Sequence, residues 1–221
     1  MAAYKDPGLT SREQLAAGRL FRRIVQLIVG LALFGVSMAM MLRAGLGVMP
    51  WDVLHQGLER HLPFTFGQIV IGVGAVVLLL WIPLKQWPGL GTILNALLIG
   101  LFADLALKWI EQPATLWGGV ALMIGGLIAN GLAGALYIGV HLGTGPRDGI
   151  SIALHRITGK SVRLMRTLIE ILVVIIGWSL GGVVGVGTVL YALAVGPLLQ
   201  LFLPVVQVEL DIASDDEISE L

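Results

Sequence analysis

The chain contains no cysteine among its 221 residues. Disulfides, thiolate nucleophiles and cysteine-ligated metals are therefore excluded, and the redox compartment is left open. Charge is also scarce. Asp, Glu, Lys and Arg make up 13% of the chain, about half of the roughly 25% found in soluble domains. Fourteen basic and fourteen acidic residues cancel, and no basic face is left over for nucleic acid, so no such partner is expected. The four histidines (His55, His61, His141 and His155) lack the paired spacing of a metal site. No Ser/His/Asp set can be placed either. The expectation is a protein that is not an enzyme and has no metal and no cofactor. Two Gly-x-Gly-Thr strings, at Gly89 and Gly185, lack both the lysine of a P-loop and the strand of a Rossmann turn.

What the chain has in quantity is apolar length. Hydrophobic residues make up 57% of it, and the mean hydropathy is +0.90. Six apolar segments, near 22–43, 65–84, 90–110, 115–139, 161–181 and 186–206, are each long enough to span a hydrocarbon core of roughly 30 Å. Two shorter stretches, near 51–61 and 147–158, would reach only about 17 Å as helices. They are expected to be interfacial or re-entrant, with amphipathic faces at the membrane surface. The first apolar run is too long for a signal-peptide core and is expected to remain as a membrane helix.

Charge placement sets an orientation. With a cytoplasmic N-terminus, the inner segments hold Lys5, Arg12, Arg19, Arg22, Arg23, Lys85, Arg147, Arg156, Lys160, Arg163 and Arg166. The outer segments hold only Arg43, Arg60 and Lys108. This is a positive-inside pattern, and both termini are expected in the cytoplasm. The expected organisation is a cytoplasmic N-terminal segment (1–21), two membrane repeats (22–111 and 115–206) and an acidic cytoplasmic tail (207–221).

The chain repeats itself. Leu46-Gly47-Val48-Met49-Pro50-Trp51-Asp52 returns as Leu142-Gly143-Thr144-Gly145-Pro146-Arg147-Asp148, an offset of 96 residues. The same offset aligns Gly89–Gly100 with Gly185–Gly196, with seven of twelve positions identical. An odd number of spans per repeat turns the second copy upside down. The fold class expected is thus all-α, with six transmembrane helices in two inverted three-helix repeats. Each repeat carries one extra short helix.

The pattern G-x-x-P-x-D, a short helix, a Thr or Ser opening a span, then G-x-G-T, resembles the bacterial YczE/YyaS/YitT group of integral membrane proteins. Gly143-Thr144-Gly145-Pro146-Arg147-Asp148-Gly149, Thr158-Gly159 and Arg166 with Glu170 carry most of the likeness, which covers roughly residues 22–204. The resemblance implies a transporter-like membrane protein and contributes no catalytic residue.

Broken helices mirrored in inverted halves point to a central site. The residues expected to bind substrate are Gly47, Pro50, Asp52, Gly143, Gly145, Pro146, Arg147 and Asp148. Glu170 is the expected proton-coupling carboxylate, with Arg166 one turn away as its partner; Asp104 is expected to pair with Lys108 in the same way. The function expected is a secondary transporter or permease of a small solute, in contact with the lipid bilayer. A non-transporting scaffold or accessory protein and a lipid flippase stand as alternatives. Small residues at four-residue spacing (Gly177, Gly181, Gly185; Gly131, Ala135, Gly139) suit close helix contact, whether internal or in a homodimer. The six tryptophans mostly flank span ends and read as interfacial anchors.

Overall fold

In a computed structural model of the chain, which describes residues 11–210, every described element is an α-helix. The helices are α1 (Ser11–Ala16), α2 (Leu20–Ala44), α3 (Pro50–Glu59), α4 (Phe66–Trp81), α5 (Leu90–Leu107), α6 (Leu116–Ile138), α7 (Pro146–Thr158), α8 (Val162–Ser179) and α9 (Val186–Val206). The acidic residues expected to form the tail, from Asp211 onward, lie outside the described part, as do residues 1–10. The segment leading into the tail is not detached. Val208 is buried against the core and its N–H donates to Gly139 O at 2.9 Å.

Four helices, α2, α5, α6 and α9, are long and apolar enough to cross a membrane. The other two expected spans fall short for identifiable reasons. Pro83, which cannot continue a helix, follows α4 closely, so α4 ends at Trp81 after 16 residues. Arg163, Arg166 and Glu170 interrupt the apolar run of α8. Local signals set the boundaries. Thr65 caps α4 by accepting from Gln68 N–H, and Ser161 caps α8 by accepting from Leu164 N–H. Pro50 and Pro146 occupy the first turns of α3 and α7, where their missing N–H does no harm.

α2 and α6 pack side by side through glycines. A Cβ at Gly30 would press on Leu136 and Tyr137, and one at Gly126 would press on Met40 and Met41. The same pairs are related by 96. α5 lies on α2 at Gly35, and α9 lies on α6 at Gly131. The loops before α3 and α7 cross over symmetrically: Gly91 N–H donates to Leu142 O at 2.7 Å, and Gly187 N–H donates to Leu46 O at 2.8 Å. The spaced glycines Gly177 and Gly185 thus meet this chain's own α3 and its preceding loop.

One correspondence fails. α4 closes on α5, with Gly67 and Gly100 in direct backbone contact and Asp104 accepting from Thr65 Oγ1 and, at 2.7 Å, from Gly67 N–H. Asp104 therefore caps a neighbouring helix; the Lys108 pair expected from the i, i+4 spacing does not form. At the matching place α8 barely meets α9, and Gly196, the counterpart of Gly100, has no neighbour within 4 Å of a Cβ position.

Burial also corrects two readings of α3 and the tryptophans. Asp52 and His55 are 1% and 0% exposed, so α3 is an interior element and not a surface helix. Trp87, Trp109, Trp117 and Trp178 are exposed, as anchors would be, but Trp51 and Trp81 are buried. Arg23, read from sequence only as a topology signal, is fully buried. It donates from Nε to Val140 O at 2.8 Å and from Nη2 to His141 O at 3.0 Å. Replacing it with Met leaves both carbonyls unpaired. At about 1.5–3 kcal/mol for each charge-assisted bond, we expect a large drop in the unfolding midpoint in detergent, with Arg23→Lys in between. An unchanged midpoint for Arg23→Met contradicts this.

Candidate functional site

The starts of α3 and α7 meet at the centre, where the loops before them turn through glycines at positive φ. Gly47 has φ +111° and Gly143 φ +121°. A side chain at either would strain the backbone and strike the Gly185 or Gly89 region of the other half. Gly47 and Gly143 thus shape the crossover and do not line a cavity.

Between the helices lies a cavity of about 120 Å³. Using roughly 10–15 Å³ per water by this kind of measure, it has room for about ten water-sized groups. Pro50, Gly145, Pro146, Arg147, Asp148, Arg166 and Glu170 of the expected site residues line it. Asp52 does not. It sits behind the wall with its Oδ1 3.0 Å from His55 Nδ1, and neither its Oδ2 nor His55 Nε2 has a partner. The charged wall is organised by Arg166. Its Nε donates to Glu170 Oε1 at 3.0 Å and its Nη1 lies 3.5 Å from Asp148 Oδ1, so one guanidinium serves both carboxylates. Arg147 has no hydrogen bond or ion pair among the described residues; its guanidinium carbon lies 5.0 Å from the centroid of the Trp51 ring.

Sequence reasoning missed several wall residues: Phe34, Asn95, Ile99, Asn130, Tyr191 and Val195. A signal for them existed. Asn95 and Ile99 stand 96 positions before Tyr191 and Val195, inside the twelve-residue repeat, and Phe34 stands 96 before Asn130. With Pro50 and Pro146, and Trp51 and Arg147, these positions enter the wall in repeat-related pairs.

A second, smaller cavity of about 20 Å³ is lined by His55, Val70, Val73, Gly74, Asn95, Ile99, Trp51, Pro146 and Arg147 among others. Adding 96 to His55, Val70, Val73 and Gly74 gives Ser151, Arg166, Ile169 and Glu170, which line the larger one. Each cavity therefore occupies the place in one half that the other occupies in its partner. Trp51, Asn95, Ile99, Pro146 and Arg147 belong to both walls.

A bundle of apolar helices with broken elements meeting at a central cavity defines a polytopic helical membrane protein. The chain belongs to the family described as of unknown function (DUF6198), which it matches over residues 21–204. It is 36% identical over 186 residues to an uncharacterized protein of Haemophilus influenzae, covering 84% of this chain and 85% of that one. It is 33% identical over 172 residues to the uncharacterized membrane protein YczE of Bacillus subtilis, covering 77% and 80%. The uncharacterized protein YyaS of the same organism is 25% identical over 183 residues, covering 81% and 91%. The resemblance to YczE and YyaS carried by the repeated motif is thereby established. No solved structure matches.

Proposed function

We propose that the protein is a secondary transporter of a small solute, built from six spans in two inverted halves that take turns closing over a shared site. The observation that carries this reading is the pair of repeat-related cavities, one about 120 Å³ and the other about 20 Å³. A duplicated architecture with one half open and its counterpart collapsed is what alternating access requires of a single state. The closed α4–α5 contact and the parted α8 and α9 support the same reading. By the charge pattern, the protein sits in the bacterial inner membrane with both termini cytoplasmic, and the parted end faces the cytoplasm. The proposed role is passage, with no enzymatic step. Glu170, on the open wall beside Arg166, is the proposed proton-coupling carboxylate.

The test is uptake by proteoliposomes from a panel of labelled small metabolites, with and without a pH gradient. We expect accumulation of at least one solute, abolished by filling the cavity with Gly134→Trp. If nothing in the panel moves under either condition, the transport reading fails. One observation favours a second reading, translocation of an amphiphile: the gap between α8 and α9, whose facing helices are largely exposed and apolar, leaves a lateral way in. Scrambling of a fluorescent lipid by the same vesicles, with no solute uptake, would select it.

A further inference from the structure

We infer that Asp52 and His55 form a proton-binding site, and that the smaller cavity opens as the pair takes up a proton. This rests on the part of the reading above in which the two halves open in turn, and it adds a second proton station besides Glu170.

The pair is built into the interior. Asp52 is 1% exposed and His55 0%, with Oδ1 of one 3.0 Å from Nδ1 of the other. With Asp52 ionised, Nδ1–H donates to it, and the imidazole keeps a lone pair on Nε2. Neither that Nε2 nor Asp52 Oδ2 meets a partner among the described residues. Buried polar atoms are normally matched, and a purely structural role leaves two unmatched atoms in one pair unexplained. His55 borders the cavity of about 20 Å³, which has room for about one water-sized group. A proton arriving there bonds to Nε2 and turns the pair into an imidazolium against a carboxylate.

Few charges surround the pair. Asp52, on the same helix, and Arg147 from α7 act on His55. Glu59, one turn further along α3, interacts with Asp104 and Arg43. α4 presents Phe66, Val70 and Val73 and carries no ionisable side chain. On α5, Asn95 and Ile99 border the cavity, while Asp104 is spent on Thr65 and Gly67. α8 meets α3 at Val53 and Gly57, and its Arg166 and Glu170 line the larger cavity.

The repeat gives the direction of the coupling. Adding 96 turns Asp52 into Asp148 and His55 into Ser151. Asp148 has a fixed cation, Arg166, 3.5 Å away, and that pair borders the open cavity. The counterpart of Arg166 is Val70, so α4 offers Asp52 no fixed cation. His55 supplies one only when protonated. Charging it reproduces in the first half the carboxylate–cation wall of the open second half. The new Nε2–H also needs an acceptor; no described residue meets that atom here, and water admitted by opening supplies one. With the orientation proposed above, this cavity opens outward, so the proton is taken from the outer face.

The experiment is the labelling rate of Gly74→Cys by a charged thiol reagent, measured on the full chain in nanodiscs from pH 8 to pH 5.5. The same cysteine combined with His55→Gln is labelled alongside, so that the thiol's own ionisation cancels in the ratio. One proton allows at most about tenfold per pH unit, and we expect the ratio to rise about tenfold or more over the range. Asp52→Asn, which removes the counter-charge, should move the rise about one pH unit lower. If His55→Gln proves unstable in detergent, the Asp52→Asn comparison carries the test, and an unmoved response overturns the inference. A ratio that stays flat or falls toward acid pH overturns it as well, as does a cysteine unreactive at every pH. The two readings separate. Acid-driven labelling without solute uptake keeps this site and sinks transport; solute uptake with a flat ratio keeps transport and sinks this site.

Discussion

Gly149→Val is expected to prevent stable folding, and adding Trp81→Gly to it is expected to restore much of the loss. A Cβ at Gly149 would fall inside the Trp81 indole, which cannot swing away freely because its Nε1 donates to Pro146 O at 3.0 Å. Overpacking a filled site costs about 1–3 kcal/mol, and a rigid buried ring puts this one at the upper end. The rescue follows from the repeat. The counterparts of Gly149 and Trp81 are Val53 and Gly177, and there α3 backbone at Val53 rests on Gly177. Each of these two contacts thus has one bulky and one minimal partner, with sizes exchanged. The double variant rebuilds the α3–α8 arrangement at the α4–α7 contact. Monodispersity and the unfolding midpoint in detergent report the outcome. A wild-type midpoint for Gly149→Val alone, or a double variant worse than the single, contradicts the packing described here.

The second large effect concerns which cavity is open. Because the chain has no native cysteine, single cysteines at repeat-related positions compare the two halves directly. Glu170→Cys lies on the large cavity and Gly74→Cys on the collapsed one. A Cβ at Gly74 meets Ala96 at 3.4 Å, an ordinary contact, so the substitution is tolerated. With a charged, membrane-impermeant thiol reagent, we expect Glu170→Cys to react about a hundredfold faster, since opening the other side requires a population shift of a few kcal/mol. Reaction should occur from one face of the membrane only. Adding Gly67→Leu, which drives a side chain into Gly100 and Asp104, should part α4 from α5 and reverse the preference. Asp104→Asn, which weakens the cap on α4, should move it in the same direction by less. Equal rates at the two cysteines, or no response to either substitution, argue against two exchanging halves.

Helix positions were legible in the sequence because their signals are local. Pro50 and Pro146 open the short helices, Thr65 and Ser161 cap α4 and α8, and apolar runs match the long helices to within a few residues. The central place of the repeated motif was legible for the same reason that Asn95 and Tyr191 could have been found: both are positions in a repeat. Asp104 was misread because spacing along one helix says nothing of the neighbouring helix. Lys108 was the right distance away in sequence, but Thr65 and Gly67 were closer in space. Arg23 looked like one more inner-face cation until two loop carbonyls were seen to enclose it.

The sequence by itself determined an all-helical, apolar, duplicated chain with a break repeated at the same offset, since composition and periodicity depend only on neighbours along the backbone. Only the tertiary structure decided which half is closed. The two hairpins share an offset but not their side chains: Gly67 meets Gly100 in one, while Arg163 and Gly196 stand in their places in the other. A short closed contact and a parted one differ through pairwise packing across helices. That same packing set Arg147 over the Trp51 ring, on the wall that the two cavities share.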